Sequence, residues 1–399
     1  MAYLLLANLI LMTAIVAVGA GFGLRAYRKR SRSRRHSRRA GDPARDYAVR
    51  QDWRGSAGKL NYSSFVYFDV DRDGRYSLGD RPMGGIAARL ANADGRHILT
   101  SRSNGNGFAN FTMSLGRSSA HIARPGVYRF TVSVPPGWEC TSGNAVQSRD
   151  FREIAGAPSG IGSDEMVTPV GLAPLRMLSG RAGASAATAT ILKAGQVLAT
   201  QALDAQAAFR FRLPDEADAV LIEGAGPARR LALSPYPAEV GLLAPERTPV
   251  PHDAALETIR FDDVTPRGLR KVPSGYAGLN WFNLNAMSRD FASGSEGYVN
   301  GTVSGDHSCY TSSGHPAEFW SDRPFGFHSL MIASAWLRAE GETALIESWS
   351  GERLVARDEI HVSALTPIHY APMLSDITRV RLSSEHYWQL VIDDLVLAR

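Results

Sequence analysis

The chain has 399 residues, enough for two or three domains, and its 44% hydrophobic content allows each of them a core. The formal charge of +5 comes from one short arm, because residues 25–39 hold nine Lys or Arg and no acid. The other 35 basic residues face 39 acidic ones, a balance of about −4 that argues against a basic nucleic-acid-binding face on the folded part.

Residues 1–24 carry no charge and are rich in Leu, Ile, Val and Met. At about 1.5 Å per residue such a run crosses a hydrocarbon core about 30 Å thick, and it predicts a transmembrane anchor. The arm that follows, residues 25–60, begins with Arg25, Arg28, Lys29 and Arg30, a block that stops transfer and pairs with anionic lipid headgroups. A cleaved signal peptide would carry its charges on the other side of the apolar run. The positive flank favours a cytoplasmic body, whereas the family resemblances described below imply an extracytoplasmic one, so the sidedness stays open.

Gly 38, Pro 21 and short apolar runs between turns predict an all-β body of tandem β-sandwiches. Residues 61–175 form the first unit. The run Phe65-Val66-Tyr67-Phe68 reads as a strand and leads into Asp69-Val70-Asp71-Arg72-Asp73-Gly74-Arg75-Tyr76-Ser77-Leu78-Gly79-Asp80. Asp69, Asp71 and Asp73 fill alternate positions of a calcium loop, and Gly74 permits its sharp turn. Arg75 would offer a carbonyl, and Ser77 and Asp80 would complete the ligand set. A solvated Asp/Gly turn is the plainer alternative. The strand before the loop, and Pro82 with Gly84-Gly85 after it, argue against the flanking helices of an EF-hand.

With the later Asp94-Gly95, Gly107-Phe108 and Pro125-Gly126-Val127-Tyr128, residues 61–138 resemble the SdrD-type B repeat of bacterial surface proteins, a Cna-B-like β-sandwich. That resemblance implies a calcium-stiffened spacer or stalk unit. Residues 176–246 read as a second, small β-sandwich spacer, and residues 243–253, with three prolines, as a linker.

Residues 256–399 contain five of the seven tryptophans and predict about eight strands in a jelly roll, with one of those strands over residues 298–304. Asp393 and Asp394 interrupt an apolar last strand, and Asp262 and Asp263 follow an apolar first one; buried carboxylates need a partner or a metal. The Phe261-Asp262-Asp263, Gly278-Leu279-Asn280-Trp281, Val303-Ser304-Gly305 and Ile392-Asp393-Asp394-Leu395 segments resemble the jelly-roll, carbohydrate-binding-module type of bacterial surface and exported proteins. In such modules the first and last strands lie together and often hold calcium, which implies Asp262, Asp263, Asp393 or Asp394 as ligands. Tyr276, Trp281, Tyr298, Tyr310 and Trp320 lie in loop-rich stretches and are candidates for stacking on a glycan or another envelope polymer, while Trp336, Trp349 and Trp388 read as core.

No nucleophile–base, zinc or phosphate-loop motif occurs. The chain therefore reads as a membrane-anchored envelope or surface protein without a catalytic site. A purely structural role is the alternative, and a hydrolase using Glu296, Glu318 or Asp306 a more distant one. Cys140 and Cys309 read as two isolated thiols.

Overall fold

Aromatic and β-branched residues at alternate positions turn the body of this protein into strands. The computed structural model describes residues 60–224, 226–292 and 296–399. The transmembrane segment and basic arm expected from the sequence lie outside these residues; among the described residues no helix is long and apolar enough to cross a membrane.

The first unit is a sandwich of two five-stranded sheets. In one, the opening strand Asn61–Phe68 pairs in parallel with Val170–Pro174, Val66 opposite Val170, and antiparallel with Phe108–Thr112. The other sheet runs in the order His97–Arg102, Ala87–Asn92, Gly126–Val132, Val146–Glu153 and Ile161–Gly162. Tyr62, Phe111, Phe130 and Phe151 meet between them, with Tyr62 and Phe151 edge to face at 4.9 Å.

The middle unit sets the sheet of Met177–Ala182, Ala208–Arg212 and Ala238–Leu243 against the sheet of Ala187–Lys193, Gln196–Leu203, Ala219–Glu223 and Arg229–Ala232. Its first sheet does not end at the unit. Ala238–Leu243 pairs in parallel with Ile368–Tyr370, so the middle and last units share one continuous sheet. Residues 243–253, expected as a linker, pack inward instead: Leu243, Ala244 and Val250 are buried, and Arg247 forms a buried ion pair with Asp358 at 2.9 Å.

The last unit is an antiparallel sandwich. Its front sheet has the order Asn280–Phe282, the start of Ala317–Ser334, Leu374–Ser384, Glu342–Ser350 and Arg353–Val362. Its back sheet runs from Ile368–Tyr370 through the end of Ala317–Ser334, Leu390–Ala398, His307–Thr311 and Leu284–Ser288 to Leu269–Lys271, with Leu256–Ile259 also on Leu390–Ala398. The 18-residue strand Ala317–Ser334 serves both sheets, and its register slips after Trp320 and after Phe325, where it crosses over. Phe261, Trp281, Phe319, Phe327, Val380 and Ile392 fill the space between the sheets.

The segment expected as a strand over residues 298–304 begins instead as a short helix, Glu296–Gly301, packed on the back sheet. Gly297 explains the close approach: a Cβ there would lie 2.2 Å from the Ser334 carbonyl oxygen. The same helix docks the first unit, since the Asn300 amide donates to the Gly84 and Ala364 carbonyls at 3.2 and 2.9 Å. Nearby, Arg81 donates to the Thr302 carbonyl at 2.9 Å, and the Trp138 indole donates to Thr366.

Candidate functional site

The aspartate loop begins where the strand Asn61–Phe68 ends. Arg72 and Gly74 both take positive φ, 62° and 77°, and fold the chain back. Asp69 is fully buried. Its Oδ2 accepts the Gly74 N–H at 2.9 Å, while its Oδ1 is buried without a hydrogen-bond partner. Asp71 accepts the Asp73 N–H at 3.2 Å, and Asp73 accepts the Arg75 N–H at 2.7 Å. One oxygen each from Asp69, Asp71 and Asp73 lies within 4.8 Å of the other two.

Asp80 has a different task. Its two oxygens accept the Val70 and Ser77 N–H groups at 2.9 and 2.7 Å, so it closes the loop, and burial pushes its pKa up to about 6. Ser77 contributes this backbone donor, and the Arg75 side chain is exposed. The buried hydroxyls of Tyr67 and Thr141 are likewise without partners. An unpartnered buried carboxylate oxygen beside two further carboxylates suits a hard, oxygen-liganded cation such as calcium.

The four aspartates of the last unit are not drawn together in this way. Asp393 is fully buried and satisfied by backbone donors: Val303 and Ser304 at 2.7 and 2.9 Å on one oxygen, Asp394 at 2.7 Å on the other. Burial pushes its carboxyl well above the usual range. Asp394 accepts from the Ser304 hydroxyl and stands 3.7 Å from Arg260. Asp262 accepts the Asp306 and His307 N–H groups at 2.8 and 3.1 Å, and Asp263 accepts the Tyr276 hydroxyl at 2.6 Å. Each aspartate pins a different backbone stretch or side chain. Among the described residues, the only other His/Cys/Asp/Glu group close enough to share an ion is Glu342, Glu385 and His386, where Glu342 already accepts from His386.

The aromatic candidates separate by face. Trp281 is core, packed on Phe261 and Phe319, and its indole donates to the Tyr276 carbonyl at 2.8 Å. Tyr276 is half-buried over Phe261. Tyr298 and Tyr310 are buried on the back sheet, Tyr298 packed edge to face on both Tyr310 and Trp336, with its hydroxyl on Gln389 at 2.6 Å. Trp320 points the other way, onto the outer face of the front sheet.

That outer face is built from cross-strand rows. Directly opposed residues of antiparallel strands share a face. Asn280, Trp320, Arg379, Trp349 and Leu354 form one row, and Phe282, Glu318, Arg381, Glu347 and Arg357 the next. Trp320 and Trp349 stand two strands apart, about 10 Å. Both are partly exposed, and Phe282 and Leu354 more so. The Arg379 guanidinium lies over the Trp349 ring, 4.4 Å from its centre. Arg381 and Arg357 each approach a glutamate, Glu318 and Glu347, at 3.9 Å. Trp320 beside the Arg379–Trp349 pair, framed by hydrogen-bonding side chains, forms a surface on which a sugar ring can stack.

Trp349, expected in the core, is therefore a surface residue. Its neighbours could have shown this: Glu347 shares its face, while Ala344, Ile346 and Ser348 point inward. The carboxylates weighed for hydrolysis are dispersed: Glu318 lies on this face, Glu296 beside Gly84, and Asp306 in the loop held by Asp262. Cys140 and Cys309 are free thiols.

No family model and no curated protein matches the chain. Solved structures do align with it. The shaft pilin SpaA from Lactobacillus rhamnosus GG does so at 10% identity over 45% of this chain and 96% of its own, with a TM-score of 0.21. The CBM22-1-CBM22-2 tandem domain of Paenibacillus barcinonensis Xyn10C does so at 11% over 66% and 92%, also at 0.21. The Bacillus anthracis TIE protein aligns at 10% identity over 47% of this chain with a TM-score of 0.19, and the chain spans 34% of its length. Pilin shafts and carbohydrate-binding modules thus stand among the structural neighbours, at scores that carry no functional argument. The functional reading rests on the residues of this chain.

Proposed function

We propose that this protein is a membrane-anchored envelope or surface protein whose last sandwich binds a glycan chain without transforming it. The carrying observation is the outward row Asn280–Trp320–Arg379–Trp349 on the front sheet. In this reading Trp320 is the stacking platform, and Asn280, Glu318 and Arg381 supply hydrogen bonds to ring hydroxyls. Residues 1–24 anchor the chain, and the basic arm rests on anionic lipid headgroups.

Calcium is proposed at Asp69, Asp71 and Asp73. These residues would hold the ion, which would supply positive charge to the buried Asp69 oxygen and stiffen the first unit. Residues 256–399 share a sheet with the middle unit, so the protein to test is the full body, residues 60–399.

A glycan array probed with this body, beside Trp320→Ala and Trp349→Ala variants, tests the reading. Binding to a defined polysaccharide that either substitution weakens at least tenfold is the expected result. A folded protein that binds nothing on the array, or variants that bind as well as the parent, would overturn it.

A further inference from the structure

The outer face carries a charge that stacking on neutral sugars leaves unused. Arg379 stands in the middle of its row, with Trp320 on one side and Trp349 on the other. Its guanidinium rests on the Trp349 ring, and its Nε is buried without an acceptor. The Arg381 Nε is likewise buried without an acceptor, but Arg381 and Arg357 each have a glutamate at 3.9 Å, whereas among the described residues no carboxylate pairs with Arg379. The two rows hold three arginines against two glutamates, so the surplus positive charge centres on Arg379.

A guanidinium seated over an indole, as Arg379 is over Trp349 at 4.4 Å, is restrained in position, and its fork of donors matches a carboxylate two-pronged. We infer that the face selects glycans that carry carboxylated sugars, the uronic acids. The carboxylate would accept from Arg379 while a sugar ring stacks on Trp320. Trp349 then acts as a positioning residue, holding Arg379 in place. This inference rests on the glycan-binding reading above and names its ligand class.

The test presents the 60–399 body with polygalacturonate, alginate and hyaluronate, each beside its carboxyl-reduced form, and with dextran sulfate. The expected result is binding to at least one acidic polymer, at least tenfold tighter than to its reduced form. Arg379→Gln should bring that ratio close to one. Arg379→Lys, which keeps the charge and loses the fork, should lower it at least threefold; it carries the test if Arg379→Gln melts early. Equal binding of acidic and reduced forms, abolished by Trp320→Ala, overturns the acidic preference and leaves glycan binding standing. A preference for dextran sulfate over every uronate, or an unchanged ratio in both Arg379 variants, also overturns it. A folded protein that binds none of these polymers overturns the acidic preference, and the glycan array then decides the glycan reading separately.

Discussion

Asp69 and Asp393 look alike along the chain, each an acid at or within an apolar strand, and both are fully buried. Their surroundings differ in kind. Asp393 meets three backbone donors, two of them supplied by residues 303 and 304, far away in sequence. Asp69 keeps one oxygen without a partner. The sequence motif thus showed the loop aspartates, where the donors are local. It could not show that Asp262 and Asp393 would accept distant backbone N–H groups, or that Asp263 and Asp394 would accept the Tyr276 and Ser304 hydroxyls. Two outcomes follow at this scale. Asp393→Ala should cost about 3 kcal/mol in chemical denaturation, with or without calcium, because it strands buried N–H groups. Asp71→Ala should cost little by itself yet abolish a calcium-induced rise in melting temperature; no such rise in the parent would leave the loop a plain turn. Asp358 is a third case: it accepts from Arg247 and from the Tyr370 hydroxyl, both buried, and Asp358→Ala should cost about 3–5 kcal/mol by leaving Arg247 uncompensated.

Among the elements, apolar strands next to a sequence marker were legible. The run Phe65-Val66-Tyr67-Phe68 and the apolar last strand around Asp393 and Asp394 were expected, and are observed within Asn61–Phe68 and Leu390–Ala398. The helix Glu296–Gly301 was not legible, because tertiary packing on the back sheet overrides the strand propensity of Tyr298 and Val299. The pairing of Ala238–Leu243 with Ile368–Tyr370 was hidden for another reason: no local pattern announces a parallel partner more than a hundred residues away. That junction has a pH signature. Burial lowers the pKa of His369, which sits in this junction, to about 4, with His328 adding to the effect, and its Nδ1 has no partner. The unfolded chain takes up this proton near pH 6.5, before the folded protein can. Stability is therefore full above about pH 6.5 and falls as the pH drops towards 4, by roughly 2 kcal/mol once the ring's partial exposure is discounted. Denaturant titrations at pH 7 and pH 4.5 should show this loss, and His369→Phe should reduce it.

At the scale of the molecule, the tandem sandwiches expected from the sequence interlock. The middle and last share a sheet and the Arg247–Asp358 pair, and the first is clasped to the last through Arg81, Asn300 and Trp138. Calorimetry on residues 60–399 should accordingly give a single transition for the middle and last units, and residues 256–399 alone should melt well below it. Two separable transitions for these units would contradict the shared sheet. Such interlocking would preorganise the proposed stacking surface on the outer face of the front sheet. Titration calorimetry of the best-binding polysaccharide into the 60–399 body, with Trp320→Ala compared against Tyr298→Phe, addresses that face most directly. Trp320→Ala should weaken binding at least tenfold with an unchanged melting temperature, while Tyr298→Phe, altered on the opposite sheet, should bind as the parent does. Equal affinity in Trp320→Ala, or a loss confined to Tyr298→Phe, would place the ligand elsewhere and contradict the assignment of the face.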